Sequence, residues 1–243
     1  MVMKKVAFFD IDGTLFRWQL YHELVFELKE QGVFDTSESS ALDEALLSWQ
    51  AKHVSWRDYE MLVVETIEKH IADISPSQLE QTAATVVERS GHKIYNYTAK
   101  LLHKLRDEGY HTVAISASQQ EIAEQFAEKY EFDECIGALY ERQNDRYTGT
   151  ITRYIHGRKH EVIAEFMASR PELTLDDSYA VGDSGGDITM LEMVTNPVAF
   201  NPSQELFEQA TKHNWPIVVE RKNIAYVLKE QDGRVVLDHT DIY

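Results

Sequence analysis

The sequence predicts an α/β protein: a doubly wound, mostly parallel, Rossmann-like sheet with an all-helical cap inserted into it. Short apolar runs of strand length alternate with segments in which apolar residues recur at helical spacing, the pattern of βαβ units. One long segment near the N-terminus has helical spacing only, which indicates an inserted helical domain. Of the 243 residues, 43% are hydrophobic, enough for one core with a modest insert.

The first element is the apolar run Val6–Phe9, whose continuous hydrophobicity is typical of a parallel strand buried on both faces. The run ends at Asp10, and the helical segment begins soon afterwards. We therefore assign residues 1–16 and 92–220 to the Rossmann-like core and residues 17–91 to the helical cap.

Two helices have clear end signals. Ser75 precedes Pro76, an N-cap serine followed by a proline at the first helical position, and this helix is predicted to run to about Arg89. A second helix has its apolar face over Ile94–Leu105 and stops at Gly109.

The sheet resumes after this second helix. Further strands are predicted at His111–Ile115, Cys135–Leu139, Tyr147–Tyr154, Tyr179–Val181, Pro197–Phe200 and Ile217–Val219. Helices are predicted between them over residues 119–130 and around Val162–Met167 and Met190–Val194. The remaining residues, 221–243, are polar apart from Val235–Leu237, and we assign this C-terminal tail no role.

The charge of the chain excludes several classes of partner. Asp and Glu number 41 against 24 Lys and Arg, a formal net charge of -17, which repels nucleic acid and anionic membranes. The single cysteine, Cys135, gives no sign of an oxidising compartment, and the N-terminal apolar run is too short for a signal or membrane-spanning segment. We therefore expect a cytoplasmic protein whose partner is a small molecule, and a local group of donors must hold any anionic substrate.

Polar side chains follow the predicted strands at the edge of the sheet where ligands bind. They are Asp10 and Asp12, Ser116, Lys159, and Asp183 and Asp187. Carboxylates that face one another repel unless a hard cation lies among them, and Mg²⁺ takes oxygen ligands of this kind while keeping several waters. The sequence therefore predicts a magnesium site that can also take a phosphate oxygen.

Donors for the other phosphate oxygens are predicted beside this site. Thr14, Ser116 and backbone N–H groups after the strands, including that of Ala117, can donate to them. Lys159 can neutralise charge that the acidic chain does not otherwise offset, with Arg158 as the alternative cation. These groups supply the hydrogen-bond donors and the positive charge that an anionic substrate needs.

The ordered motifs resemble those of the haloacid dehalogenase superfamily, in its phosphoserine-phosphatase-like branch, which carries a helical cap between the first and second motifs. Asp10–Leu15 is similar to the first motif and Gly182–Asp187 to the fourth, and both are quite specific. Ser116 and Lys159 match the second and third motifs, which are short and depend on order and spacing. Tyr147–Thr150 also looks like the hairpin of that branch, and the resemblance covers roughly residues 5–200.

The resemblance implies a phosphatase mechanism. Asp10 would attack phosphorus to form an aspartyl-phosphate, and Asp12 would protonate the leaving oxygen and later take a proton from water. Mg²⁺ would be held by Asp10, the Asp12 backbone carbonyl and Asp183, with Asp187 orienting or completing its shell. The serine and lysine of the second and third motifs would bind the transferring phosphoryl group. The expected enzyme is a Mg²⁺-dependent phosphatase that hydrolyses a small phosphomonoester.

Substrate specificity would reside in the cap, because the core contacts only phosphate and metal. Phosphoserine-specific members use a carboxylate shortly after the first motif to hold the substrate amine, whereas this chain has Gln19 there, with Glu23 one turn later. Arg57 is a candidate for binding a substrate carboxylate. Phosphoserine therefore stays one candidate among small phosphomonoesters.

Two other functions use similar residues. A phosphotransferase differs only in the acceptor that takes the phosphoryl group from Asp10. A noncatalytic phosphoryl switch of the response-receiver kind also has an acidic pair, a hydroxyl and a lysine on a parallel sheet. Its acidic pair, however, lies apart from the phosphorylated aspartate, and it needs no helical insert. We therefore favour the phosphatase, with the phosphotransferase as its nearest alternative.

Overall fold

A computed structural model describes residues 3–243, and its central sheet confirms the predicted α/β fold. The strands are β1 (Lys4–Asp10), β2 (His111–Gln119), β3 (Glu134–Gln143), β4 (Arg146–Arg153), β5 (Leu173–Gly182), β6 (Asn196–Phe200), β7 (Ile217–Arg221), β8 (Ile224–Gln231) and β9 (Arg234–Ile242). The helices are α1 (Leu20–Glu30), α2 (Thr36–Gln50), α3 (Trp56–His70), α4 (Pro76–Ser90), α5 (Asn96–Asp107), α6 (Gln120–Lys129), α7 (Lys159–Ala168), α8 (Ile188–Leu191) and α9 (Gln204–His213). The strands form one sheet in the order β4-β3-β2-β1-β5-β6-β7-β8-β9.

Strand β1 lies inside the parallel part of the sheet. It pairs in parallel with β2 on one side and with β5 on the other. The parallel pairing continues from β2 to β3, and from β5 through β6 to β7. Because later strands are added on both sides of β1, the direction of winding reverses there, and the carboxyl ends of β1 and β5 flank a crevice. Such a switch point is where doubly wound sheets bind their ligands.

Burial on β1 follows the predicted pattern. Val6–Phe9 are completely buried, as expected for a strand covered on both faces. Ala7 and Phe9 pack into one apolar cluster, and Val6 and Phe8 pack into a second one, because alternate side chains point to opposite faces. The first cluster also contains buried side chains of α1, α3 and α4, so these helices share a core with the sheet.

Helices α1 to α4 fill the segment that the sequence assigns to the cap. Asp35 caps α2 and Ser55 caps α3, each with a capping box, and Ser75 caps α4 ahead of Pro76 as predicted. The assignment of residues 17–91 to a separate domain stays a prediction. Among residues 3–243, no helix is both long enough and apolar enough to cross a lipid bilayer.

Two short linkers join these helices to the sheet, and they pair with each other. Phe16 forms an antiparallel bridge with Ile94, and the backbone N–H of Arg17 donates to the carbonyl of Lys93 at 2.8 Å. The prediction that Ile94 belongs to the apolar face of α5 is therefore wrong, because its backbone pairs with the other linker before the helix begins. The paired linkers fix where α1 and α4 meet the sheet.

The C-terminal tail, for which the sequence suggested no role, extends the sheet. β7 continues to Arg221, and β8 and β9 add two antiparallel strands beside it. They are joined by the two-residue turn Asp232–Gly233, with φ of 53° and 77°, a backbone geometry typical of tight hairpins. Helix α9 lies in a stretch where no helix was predicted.

Candidate active site

Three carboxylates meet at the crevice between β1 and β5. Asp10 ends β1, Asp183 directly follows β5, and Asp187 closes the short 3-10 turn that comes next. One oxygen from each of them lies within 4.8 Å of the others. Asp10 and Asp187 are buried, and within residues 3–243 the Oδ2 atom of Asp10 has no hydrogen-bond partner. Like charges this close repel, so the arrangement favours a bound cation.

Lys159, the first residue of α7, lies between two of these carboxylates. Its Nζ donates to Oδ1 of Asp10 and to Oδ1 of Asp187, at 2.5 Å each. Burial alone would lower the pKa of Lys159, but the charges of the two carboxylates outweigh burial and raise it, so the lysine keeps its proton. Arg158, the alternative cation, is exposed and donates to Glu161 at 2.9 Å.

The carboxylates are held in an environment that disfavours their charge. Burial, supported by the charges of Asp187 and Asp12 and opposed by Lys159, raises the pKa of Asp10 to about 8. Burial and the charges of Asp10 and Asp187 also raise the pKa of Asp183 well above its usual value. One lysine thus leaves the negative charge of the cluster only partly offset, and a divalent cation would lower these pKa values again.

Asp187 is fixed by the loop that it closes. Its Oδ2 accepts the backbone N–H groups of Asp183 at 3.1 Å and Ser184 at 2.9 Å, and the Ser184 hydroxyl at 2.9 Å. The loop depends on Gly182, because a Cβ there would collide with the Asp187 side chain. Gly13 has a φ of 83°, and a Cβ on it would collide with the Asp183 carboxylate. Glycines in both motifs therefore make room for the carboxylates.

Asp12, the residue predicted to donate a proton, is held by hydrogen bonds from β2 and from the start of α1. The Ser116 hydroxyl donates to its Oδ2 at 2.5 Å, and the Ser118 hydroxyl donates to the same oxygen at 3.0 Å. The backbone N–H of Leu20 donates to Oδ1 at 2.5 Å. Burial raises the pKa of Asp12 against the effect of these bonds. A raised pKa is the direction that a carboxylic acid needs to donate a proton near neutral pH.

Sequence reasoning missed Ser118. Its buried hydroxyl donates to Asp12 and accepts the backbone N–H of Tyr21 at 3.1 Å, so it links β2 to the first turn of α1. The alternation of a strand could have found it, because residues two apart lie on one face and Ser118 is two residues after Ser116.

The other two candidates for phosphate binding lie on either side of this arrangement. Thr14 is buried, and its hydroxyl donates to Oδ1 of Asp183 at 3.4 Å. Ala117 is exposed between the two serines that hold Asp12. Thr14 therefore lies beside the carboxylate cluster, and Ala117 lies next to the proposed proton donor.

The three specificity candidates have different surroundings. Glu23 accepts a hydrogen bond from the Ser90 hydroxyl at 2.7 Å and lies 3.6 Å from Arg89, so its charge is engaged between α1 and α4. Gln19 is the half-buried N-cap residue of α1. Arg57 is exposed in the first turn of α3.

Comparison with known proteins identifies the family. A family model described as haloacid dehalogenase-like hydrolase matches residues 7–192. The chain is 27% identical over 228 residues to a histidinol-phosphatase of Neisseria meningitidis serogroup C (strain 8013), which covers 89% of this chain and 99% of that protein. It is 27% identical over 210 residues to a phosphoserine phosphatase of Archaeoglobus fulgidus, over 85% of this chain and 55% of that protein. The chain therefore spans about half the length of the second relative.

The fold also resembles that of a solved protein. A solved phosphoserine phosphatase, described as a phospho-aspartyl intermediate analogue, matches with a TM-score of 0.54 at 17% identity, over 90% of this chain and 95% of that one. At this identity the likeness is one of fold. The family match covers most of the chain, including the three clustered carboxylates and Lys159. The chain therefore belongs to the haloacid dehalogenase-like hydrolases, in their phosphoserine-phosphatase-like branch, and is a phosphoric monoester hydrolase.

Proposed function

We propose that this protein is a Mg²⁺-dependent phosphatase that hydrolyses a small phosphorylated metabolite through an aspartyl-phosphate on Asp10. The observation that carries the proposal is the cluster of Asp10, Asp183 and Asp187, with Lys159 bonded to two of them, at the switch point of the sheet. Family membership supports the phosphatase class, and the geometry of the cluster supports the assignment of metal and nucleophile.

The residues of the cluster fit Mg²⁺. They offer hard oxygen donors within 4.8 Å of one another, and one buried oxygen of Asp10 lacks a partner within residues 3–243. We assign Asp10, Asp183 and the backbone carbonyl of Asp12 as ligands, with Asp187 orienting the ligand shell. When bound, Mg²⁺ would neutralise the negative charge that collects where a phosphate meets Asp10.

In the first half-reaction Asp10 acts as the nucleophile. One of its oxygens forms a bond to phosphorus while the bond between phosphorus and the ester oxygen breaks, which gives the aspartyl-phosphate. Asp12 donates its proton to the departing oxygen, so that the leaving group departs as an alcohol. The raised pKa of Asp12 supports this role, because burial shifts it in the direction that a proton donor needs.

In the second half-reaction water replaces the alcohol. Asp12, now a carboxylate, takes a proton from water while the water oxygen bonds to phosphorus and the bond to Asp10 breaks. Inorganic phosphate leaves, and both side chains return to their starting states. The bonds from Ser116, Ser118 and Leu20 stabilise the charged form of Asp12 in this half of the cycle.

The remaining polar groups position the phosphate. Lys159 orients Asp10 and offsets the charge of the incoming phosphate, since its ammonium is already bonded to the nucleophile. We assign the hydroxyls of Thr14 and Ser116 and the backbone N–H of Ala117 as donors to the phosphoryl oxygens. A local group of donors is needed because the net charge of -17 repels anionic substrates at long range.

The names of the relatives suggest the first substrates to test. They are histidinol phosphate and phosphoserine, after the Neisseria and Archaeoglobus proteins. Both are small phosphomonoesters with an amine in the leaving group.

Asp10→Asn tests the covalent role. The variant should lose activity on p-nitrophenyl phosphate by at least about a thousandfold, because an amide is a poor nucleophile. Acid quenching during turnover should trap a phosphorylated parent protein and leave the variant unmodified. Asp176→Asn, at an exposed position of β5, is the matched control and should keep the parent rate. Turnover by Asp10→Asn at the parent rate would rule out the covalent role.

A further inference from the structure

We propose that the side chains of Trp18, Trp56 and Glu60 form the surface that receives the leaving group, and that this leaving-group face selects phosphomonoesters whose leaving group carries a positively charged nitrogen, preferably on a flat ring. The inference rests on the proposed phosphatase activity and deepens it by naming the substrate class. Trp18 and Glu60 were not singled out as specificity candidates from the sequence.

The leaving-group face lies next to the proposed proton donor. The carbonyl of Trp18 accepts the backbone N–H of Gly13 at 3.1 Å, and the N–H of Leu20, two residues later, donates to Asp12. The ring of Trp18 contacts that of Trp56 with centroids 5.6 Å apart. The segment that wraps Asp12 thus carries Trp18 and places it against the start of α3.

Glu60 lies one helical turn after Trp56 on α3 and is half-buried. Burial and the charge of Asp12 raise the pKa of Glu60, and interaction with the exposed His156 of the core opposes this rise. Because residues four apart lie on the same face of a helix, Glu60 shares the face of α3 from which Trp56 packs against Trp18, beside the segment that wraps the proton donor. A half-buried carboxylate in this place gains from a cationic partner, because burial disfavours its charge.

Trp18 and Trp56 belong to a larger aromatic cluster, completed by His22, Trp49 and Tyr59. His22 stacks on Trp56 at 5.2 Å, and Tyr59 packs edge-on against His22 at 5.0 Å. Tryptophan faces are the strongest aromatic partners for cations, and aromatic cages are a common way to bind them. Flat rings also stack on such surfaces, which favours a cation that is part of a ring.

Two polar atoms of the aromatic cluster lack partners. His22 and Tyr59 are each 1% exposed, yet Nδ1 of His22 and the Tyr59 hydroxyl have no hydrogen-bond partner within residues 3–243. A buried polar group without a partner destabilises a fold by about 1–3 kcal/mol, so an ordered water or another polar molecule that bonded to these two atoms would stabilise the cluster. Burial lowers the pKa of His22 to about 4, so this ring is neutral and does not repel a cation.

Glu23, the acidic specificity candidate predicted from the sequence, already has partners within the protein. Glu23 accepts a hydrogen bond from Ser90 and lies near Arg89, whose positive charge already offsets the charge of Glu23. Gln19 has no charge, and Arg57 would repel a cation. Glu60 is therefore the acidic side chain of this part of the protein that the observations place toward the proton donor.

The test compares four substrates on the parent protein and on Glu60→Gln. Histidinol phosphate offers a ring and a cationic amine, phosphoethanolamine an amine without a ring, and glycerol 3-phosphate and p-nitrophenyl phosphate no cation. We expect the parent to have its highest kcat/KM among the alkyl esters on histidinol phosphate, followed by phosphoethanolamine. Glu60→Gln should reduce the ratio of kcat/KM on histidinol phosphate to that on glycerol 3-phosphate by about tenfold or more, mainly through KM.

Matched variants separate binding from folding. Glu65→Gln, exposed on the same helix, should keep the parent ratio. Trp56→Phe keeps a ring and should retain most of the preference for histidinol phosphate over phosphoethanolamine, whereas Trp56→Leu should lose it. If Trp56→Leu does not fold, the Glu60→Gln ratio decides the question alone.

The outcomes distinguish this inference from the proposed function. Equal loss on all four substrates in Glu60→Gln, or a parent protein that prefers glycerol 3-phosphate, would overturn the leaving-group face while leaving the phosphatase intact. Equal loss in both Glu60→Gln and His156→Gln would indicate a contact between helix and core instead of substrate binding. A parent protein that hydrolyses none of the substrates, p-nitrophenyl phosphate included, would instead reject the proposed function.

Discussion

The hydroxyl of Ser118 connects the proposed proton donor to the inserted helices. It donates to Asp12 at 3.0 Å and accepts the N–H of Tyr21 at 3.1 Å, so one atom bridges strand β2, the reacting carboxylate and the start of α1. Ser118 contacts neither phosphorus nor any atom assigned to the metal in the proposed mechanism, and its hydroxyl bonds there only to the side chain of Asp12. We therefore regard it as a positioning residue for Asp12.

Ser118→Ala should lower kcat by about tenfold with a smaller change in KM, because Asp12 loses one of the bonds that orient it and substrate binding loses none. Steady-state kinetics on p-nitrophenyl phosphate measure the two constants separately. Ser118→Thr keeps the hydroxyl and should recover most of the rate. A purely structural serine would instead lower stability with kcat unchanged.

Single residues of the site differ in how well the sequence reveals them. Asp10 and Asp183 stand directly after apolar runs, so strand periodicity was enough to place them at one edge of a sheet. Ser118 could be found only by following one face of the predicted strand β2 for two residues beyond Ser116. Glu60 had no such signal, because its proposed place near Asp12 depends on how α3 packs against the neighbouring helices and against Trp18.

At the scale of elements, Glu220 joins β7 to α5. Its side chain is fully buried and accepts the backbone N–H groups of Asn96 at 3.2 Å and Tyr97 at 2.8 Å. It also accepts a hydrogen bond at 2.6 Å from Nη2 of Arg17, which lies in the linker before α1. The N-cap residue Tyr95 has no side-chain cap, so Glu220 supplies the missing acceptor from a distant strand.

Glu220→Ala should lower the free energy of unfolding by about 3 kcal/mol, since it leaves the start of α5 without acceptors and Arg17 without its partner. Arg17 is partly exposed, which keeps the expected loss at the lower end of the range for buried pairs. Urea unfolding measures the change. Glu44→Ala, at an exposed site in α2, is the control, and a Glu220→Ala protein as stable as this control would contradict the capping role.

Elements with local signals were predictable and elements set by tertiary pairing were not. Helix α4 begins at Pro76 as predicted, because serine and proline act on the backbone next to them. Ile94 was assigned to a helix on its apolar spacing, but pairing with Phe16 holds it in a linker. The hairpin of β8 and β9 was missed although Asp232–Gly233 is a strong turn signal and Ile224–Leu228 is an apolar run of strand length, because only Val235–Leu237 was recognised as apolar in this tail.

At the scale of the whole molecule, metal binding and folding should be coupled. The three clustered carboxylates come from β1 and from the segment after β5, so they converge only in the folded chain. A cation that binds this arrangement and not the unfolded chain stabilises the fold.

Mg²⁺ at a hundred times its dissociation constant should raise the free energy of unfolding by about 2.7 kcal/mol. Asp183→Asn should be more stable than the parent without metal, because it removes one of three mutually repelling buried charges, and it should lose most of the response to Mg²⁺. Thermal unfolding with and without MgCl₂, at constant ionic strength, measures both effects. Equal responses to Mg²⁺ in the parent and in Asp183→Asn would exclude the cluster as the metal site, and Asp176→Asn serves as the control that keeps the parent response.

The fold class was predictable because alternating strands and helices allow few arrangements. The order of the strands across the sheet was not, since it depends on which strands pair at long range. The sequence therefore predicted a crevice and its acidic residues, but not that β1 lies between β2 and β5.

This central position of β1 has a consequence for biosynthesis. Strand β1 leaves the ribosome before its partners, which begin at His111 and Leu173, so Val6–Phe9 stay unpaired until those later segments are made. An apolar strand with open edges is prone to aggregate until both partners arrive. A nascent chain released before β5 is complete would therefore lack both a protected first strand and Asp183, so protection from aggregation and competence for catalysis arrive together, late in translation.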